Sequence, residues 1–232
     1  MSDPFGNAPR HGAKAFCSFS GGKDSCLALF EAREAGFDVS TVLVMMNESG
    51  ERSRSHGVSV ELLERQAAAL GARLVLGAAG WKDYETEFVG ILRRLRAEGH
   101  EVGVFGDIDL VPHREWEERV CASADIRAFL PLWQRDRKEL AHAVLSLGFK
   151  AKVVCVDSRF LPDSFAGREY DEQFLADLPE SVDACGENGE FHTFVYDGPC
   201  FASAVPCRVT TLEPYVAPAE YGGTRYCFAR VV

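Results

Sequence analysis

The sequence predicts an α/β protein: a mostly parallel sheet of five to six strands with helices on both faces, followed by a smaller α+β part. Two observations carry this. Between residues 14 and 157, short apolar runs alternate five times with segments whose apolar residues recur at helical spacing. Several of the runs are nearly continuous in apolar residues, as parallel strands covered on both faces are. After Asp157 the alternation stops.

Lys14 to Phe19 is the first run, and it ends on a glycine pair. "KDSCLALFEAREAG" reads as a helix stopped by Gly36, and "FDVSTVLVMM" as the second strand. "VSVELLERQAAALGA" is a helix closing at Gly71, and "RLVLGAA" a strand. "DYETEFVGILRRLRAEG" is a helix stopped by Gly99, and "HEVGVFGDI" a strand ending near Gly106 and Asp107. "HREWEERVCASAD", "RAFLPLW" and "DRKELAHAVLSLG" continue as helix, strand and helix, and "AKVVCVD" is expected as a sixth strand. The remainder has a short helix late in "SRFLPDSFAGREYDEQFLADLPE", a turn-rich acidic stretch, and two strand-like runs, "CRVTTLEPYV" and "TRYCFARVV". The expected division is therefore 14–157 and 158–232, with no low-complexity linker between the parts.

Composition narrows the function. The 232 residues carry a formal net charge of −10, which argues against a nucleic-acid binder and leaves "RSRSH" and "RRLR" as local anion contacts or solvated helix faces. No apolar run approaches the roughly 18 residues of a membrane span. "MSDPFGNAPRHGAK" lacks an apolar signal core and reads as a polar lead-in. The eight cysteines are scattered without a C-x-x-C pair, which points to reduced, mostly buried thiols and a cytoplasmic protein.

The chemistry starts at "SGGKDS", residues 20–25, where a strand ends and a helix begins. Helix N-termini present unpaired N–H groups and the positive end of the helix dipole. Gly21 and Gly22 remove Cβ atoms there, Ser20 and Ser25 offer hydroxyls, and Lys23 adds a charge read as exposed: a cradle for phosphate. It is neither G-x-x-x-x-G-K-[ST] nor G-x-G-x-x-G.

"SGGKDS" resembles the PP-loop of the ATP pyrophosphatase superfamily, of the adenine nucleotide alpha hydrolase-like fold, whose members cleave ATP between its α and β phosphates. A second string, "CGENGEFHTFVYDGP" at residues 185–199, resembles the E-G-G-E-F-E-T…D-G-P signature of the diphthine–ammonia ligase family. Glu187, Gly189, Glu190, Phe191, Thr193, Asp197, Gly198 and Pro199 stand at matching positions, and "SRSHG", "GDI" and "PLW" are similar to intervening motifs. Asn188 and His192 depart from the signature, and the "GENGEFHT" form resembles the bacterial branch. Since bacteria lack the diphthamide-modified factor, that likeness leaves the acceptor open between a small-molecule and a protein-borne carboxylate.

The resemblance implies an ATP-dependent amide ligase that uses ATP and Mg²⁺, forms AMP and pyrophosphate, and amidates a carboxylate with ammonia. Residues 14–157 would bind ATP and 158–232 the acceptor. Ser20, Gly21, Gly22, Lys23, Asp24 and Ser25 would hold the polyphosphate, and Lys23, Asp24, Asp107, Glu190 and His192 would act in catalysis. Asp24 is the expected metal ligand, with a plain helix-dipole role as its alternative. His56, Glu187, Asn188, Gly189, Glu190 and Thr193 are the expected acceptor contacts; for Glu187 and Glu190 the alternative is a solvated acidic loop. His192 suits proton transfer through a near-neutral pKa, or a structural hydrogen bond. Partners are the acceptor and ammonia, without nucleic acid or membrane, and a homodimer is the assembly considered. Competing readings are a nucleotide sensor without turnover and a PP-loop tRNA-thiolation enzyme.

Overall fold

The computed structural model describes residues 11–219 and 222–232. Residues 1–10 of the polar lead-in and two residues of the "APAEYGG" connection lie outside the described residues. Five strands, β1 (Lys14–Ser18), β2 (Asp38–Met46), β3 (Arg73–Ala78), β4 (Val102–Val104) and β5 (Arg127–Phe129), form one sheet in the order β3-β2-β1-β4-β5. Every neighbouring pair is parallel. The crossovers are α1 (Lys23–Glu34), α2 (Val60–Ala69), α3 (Tyr84–Ala97) and α4 (Val111–Ala122), and α5 (Arg137–Ser146) follows β5.

The period of two along β1 sorts the helices onto the two faces. Ala15 and Cys17 join a core with Leu27 and Leu29 of α1 and Leu62 and Leu63 of α2. Phe16, between them, joins a second core with Phe88, Ile91 and Leu92 of α3 and Val120 and Cys121 of α4. The chain runs outward from β1 to β3 and then returns to β4, so the connections reverse beside β1. In such sheets the crevice beyond the strand ends at that reversal is where ligands bind. The end of β1 leads there directly into the glycine turn, and the end of β4 into Phe105–Asp107.

The run expected as a sixth strand takes a different place. β6 (Lys150–Asp157) belongs to a second sheet with β7 (Phe191–Asp197), β8 (Val209–Val216) and β9 (Arg225–Val231), in the order β7-β6-β9-β8 and antiparallel throughout. Between β6 and β7 lie a single 3₁₀ turn at Asp163–Phe165 and α6 (Glu172–Asp177). An apolar run buried on both faces reads alike in either sheet, because periodicity reports burial and not the partner. The strand expected over "RAFLPLW" stops at Phe129: Pro131 has no N–H for a ladder, and Gln134 turns the chain with φ 59°.

The two sheets meet at the glycine turn. The Val195 N–H of β7 donates to the Gly21 carbonyl at 2.9 Å. Gln66, fully buried on α2, donates its Nε2 to that carbonyl at 3.0 Å and to the Val195 carbonyl at 2.6 Å. One side chain thus ties α2, the turn and β7 together. Gln66→Leu strands a buried carbonyl and is expected to cost about 1–3 kcal/mol, measured as a lower urea midpoint with an unchanged m-value.

Candidate active site

α1 begins at Gly22 without a side-chain cap, whereas Ser59 and Asp136 cap α2 and α5. Its first turn is instead completed by the second sheet: the Lys23 N–H donates to Thr193 Oγ1 at 3.0 Å. Within the turn, Gly22 N–H donates to Ser20 Oγ at 3.2 Å and Ser25 Oγ donates to the Gly22 carbonyl at 3.0 Å. The glycines serve close packing as well as open approach. A Cβ on Gly21, at φ +81°, would fall 2.7 Å from Gln66 Oε1, and one on Gly22 would fall 2.8 Å from His56 Nε2 and 3.1 Å from the Thr193 carbonyl.

Lys23 is buried, 3% exposed, and not the open charge expected from the sequence. Its Nζ donates to Asp24 Oδ2 at 2.7 Å and to the Cys185 carbonyl, and lies 5.7 Å from the centre of the Phe191 ring. The reason is the 183–190 segment, which closes over the start of α1. Burial works to lower the lysine's pKa, but Asp24, with Cys185 and Tyr170 nearby, prevails and holds it above the usual value.

That segment is wound around its own carboxylates. Asp183 accepts from the N–H groups of Cys185 and Glu187 at 3.1 and 3.0 Å, and Arg137 at the start of α5 bridges it to Asp109. Glu190 is 1% exposed. It accepts from the Asp183 N–H at 3.2 Å and from the N–H and Nδ2 of Asn188 at 2.9 Å each. The geometry makes Glu190 the organiser of the turn, with Asn188 as its partner.

Ten of the expected catalytic and binding residues line one cleft of about 750 Å³ at the sheet's switch point: Ser20, Lys23, Asp24, Ser25, His56, Asp107, Glu187, Gly189, His192 and Thr193. Gly21, Gly22, Asn188 and Glu190 shape it from behind. Arg54 and Trp116 also line it; the Arg54 guanidinium lies over Trp81, 4.3 Å from the ring centre, and Trp116 Nε1 donates to Glu85 at 2.8 Å. Trp133 instead carries Arg114 over its ring, and Arg168 pairs with Asp177.

Charge in the cleft is finely divided. Burial, then the negative charge of Asp24, pushes Glu187 up to about 7. Burial, then the positive charge of Lys23, lowers His192 to about 4, so its ring is neutral at pH 7 and the near-neutral value expected for it does not hold. His56, whose ring centre is 4.6 Å from that of His192, is held well below its usual value by burial and by His192.

The sequence has its counterpart in known proteins. Residues 13–128 match the diphthamide synthase N-terminal domain, and residues 136–213 match the diphthamide synthase C-terminal domain. This chain belongs to the diphthamide synthase family. Similar members of the family include the diphthine–ammonia ligases of Danio rerio, 28% identical over 80% of this chain and 83% of that one, and of Homo sapiens, 27% identical over 80% and 79%. The Schizosaccharomyces pombe diphthine–ammonia ligase is 22% identical over 91% of this chain and 38% of its own length.

Within this family member, the residues that sequence reading missed are those that hold the cleft together. Gln66 and Glu117 share a visible signal: each is a polar side chain on a buried helical stripe, with Leu62, Leu63 and Ala67 on α2, and with Val120 and Cys121 on α4. Asp183 and Arg137 carry no local signal, since they meet only in the folded chain.

Two outcomes follow for this member. Glu190→Gln replaces an acceptor by a donor facing N–H groups and is expected to destabilise the protein by about 1–3 kcal/mol, read by urea unfolding. The depressed His192 means that the unfolded chain binds a proton between pH 6.5 and about 4 that the native state refuses, so stability present above pH 6.5 is lost as pH falls. Thermal melts across that window should show His192→Gln gaining on the wild type as the pH drops; a constant difference would contradict the assignment.

Proposed function

We propose that this chain is an ATP-dependent ligase that adenylates a carboxylate, releasing pyrophosphate, and lets ammonia open the acyl-adenylate to an amide. The supporting observation is that the strand carrying the "GEFHT" signature docks on the glycine turn, so that the phosphate cradle and the acceptor motif form one cleft. The parallel sheet with its helices would hold ATP, and the part from β6 onward, which carries the antiparallel sheet, the acceptor.

The polyphosphate would rest on the Ser20–Ser25 turn, where the helix dipole of α1 presents its positive end. Among the described residues no three His, Cys, Asp or Glu side chains could hold a metal by themselves. One cleft carboxylate, Asp24, together with phosphate oxygens is a donor set that Mg²⁺ takes at nucleotide sites. Bound there, the ion would neutralise charge on the departing pyrophosphate. A carboxylate oxygen of the acceptor attacks the α-phosphorus, and the bond to the β-phosphate oxygen breaks. The ammonia nitrogen then attacks the acyl carbon, the bond to the AMP oxygen breaks, and nitrogen loses a proton. Neutral His56 and His192 face the cleft as hydrogen-bonding groups, and Glu187, poised near neutrality, can take that proton.

The relatives named diphthine–ammonia ligase favour a protein-borne acceptor bearing diphthine, while the "GENGEFHT" form favours a small carboxylate. The net charge of −10 does not favour the tRNA-thiolation reading. No helix among the described residues is long and apolar enough to cross a membrane.

The test is product identification with ATP, Mg²⁺ and ammonium, offered either a metabolite extract or a diphthine-bearing protein. AMP and pyrophosphate, with the acceptor gaining an amide, are the expected products. ADP and phosphate would refute α–β cleavage. Lys23→Ala should abolish turnover and also destabilise the fold by about 3–5 kcal/mol, because it leaves a partly buried carboxylate without its partner.

A further inference from the structure

Glu117 lies on the inward stripe of α4 and is 5% exposed, yet it lines the same cleft as Lys23 and Asp24. Its Oε2 meets no hydrogen-bond donor. The polar neighbour of its carboxyl is Asp107, a second acid. Asp107 Oδ1 in turn accepts from Nδ1 of His113 at 2.8 Å. Two carboxyl groups in contact inside a cleft need something between or beside them that donates. In the protein alone a single shared proton fills that need: burial, then the hydrogen bond to Asp107, pushes Glu117 up to about 11, so Glu117 keeps the proton and Asp107 stays charged. The pair therefore presents one net negative charge and a surplus of acceptor oxygens.

Aromatic rings stand beside it. Tyr84 and Trp116 line the cleft with their centres 5.8 Å apart, and the Arg54 guanidinium stands 5.5 Å from the Tyr84 ring centre. Ring faces and a carboxyl pair together favour a small cation. A bare metal ion is the poorer match, because it needs several converging oxygens and no described cluster supplies them. An ion that carries its own N–H donors is the better one.

We propose that Glu117 and Asp107, walled by Tyr84 and Trp116, form the subsite that holds ammonium for the ligase reaction. The identity of the cation rests on the ligase reading; the site itself rests on the unmet oxygen of Glu117. Ammonium would donate to the carboxyl oxygens and place its charge against Asp107, inside the cleft that also holds the phosphate cradle. Glu117 acts as a neutral group in this arrangement, so glutamine can replace it, with its amide N–H donating to Asp107 and its carbonyl accepting from the ion.

The test is direct binding of ¹⁵N-ammonium chloride by the full chain, followed by proton-detected NMR, with sodium chloride holding the ionic strength constant. Saturable binding is expected. Glu117→Leu and Asp107→Asn should each weaken it by about tenfold or more, while Glu117→Gln should stay within about threefold. Absence of saturable binding, or wild-type affinity in either damaging variant, would overturn the proposal. Thermal melts check the fold; if Glu117→Leu does not fold, Asp107→Asn, which alters charge and not shape, decides. The ligase reading fails separately. Ammonium-dependent formation of AMP whose KM for ammonium is untouched by Glu117→Leu would sink the subsite alone. Glu117-dependent ammonium binding by a protein that releases ADP would uphold the subsite and sink the ligase.

Discussion

The Gly21 carbonyl is the joint on which the structure turns. It accepts from the Val195 backbone and from Gln66, while two residues on the Lys23 N–H donates to Thr193. The N–H groups of Gly22 and Lys23 are taken by Ser20 Oγ and Thr193 Oγ1, and glycine is the residue least able to hold any conformation by itself. Rigidity comes from the serine hydroxyls within the turn and, from outside it, from a strand of the second sheet and a buried amide on α2. The small residues let those groups come close, and those groups then hold the small residues still.

The same closure explains why Lys23 is buried. Once β7 lies against the turn, the 183–190 segment that precedes it passes over the start of α1, and the Cys185 carbonyl takes a lysine N–H. A buried ammonium is tolerable only with its charge balanced and its donors spent; Asp24, the Cys185 carbonyl and two aromatic faces meet both conditions. Asp24 and Lys23 therefore act as a pair, and any ligand charge added to the cleft is felt by both.

Acid groups in the cleft are separated by role through their surroundings. Glu190 and Asp183 are consumed by backbone N–H groups and by Arg137, so their charge builds the loop. Asp107 and Glu117 share a proton, and Glu187 stands near neutrality among like charges. Five carboxyl groups of the same chemistry are set apart, some as scaffold and some left facing the cleft, by burial and partner alone. The neutral histidines follow the same logic from the other side, because burial next to Lys23 leaves no room for a second cation.

The sequence by itself determined the strand–helix alternation, the glycine turn at the end of the first strand and the acidic glycine turn at 185–190, because each is written in local spacing: period 2 or 3.6, a glycine pair at a helix start, a turn of carboxylates and glycines. Ten of the residues that line the cleft, Ser20, Asp107, Glu187 and His192 among them, were legible for that reason. Tertiary structure alone decided the rest. Whether "AKVVCVD" joins the parallel sheet or the antiparallel one depends on which partners reach it, and an apolar run is equally buried in both. Whether Lys23 is open or covered, and whether Glu190 faces ligand or backbone, depends on contacts more than 160 residues away for the first and on the fold of a loop for the second. Local pattern records how much of a residue must leave water; only the folded chain determines what it meets there.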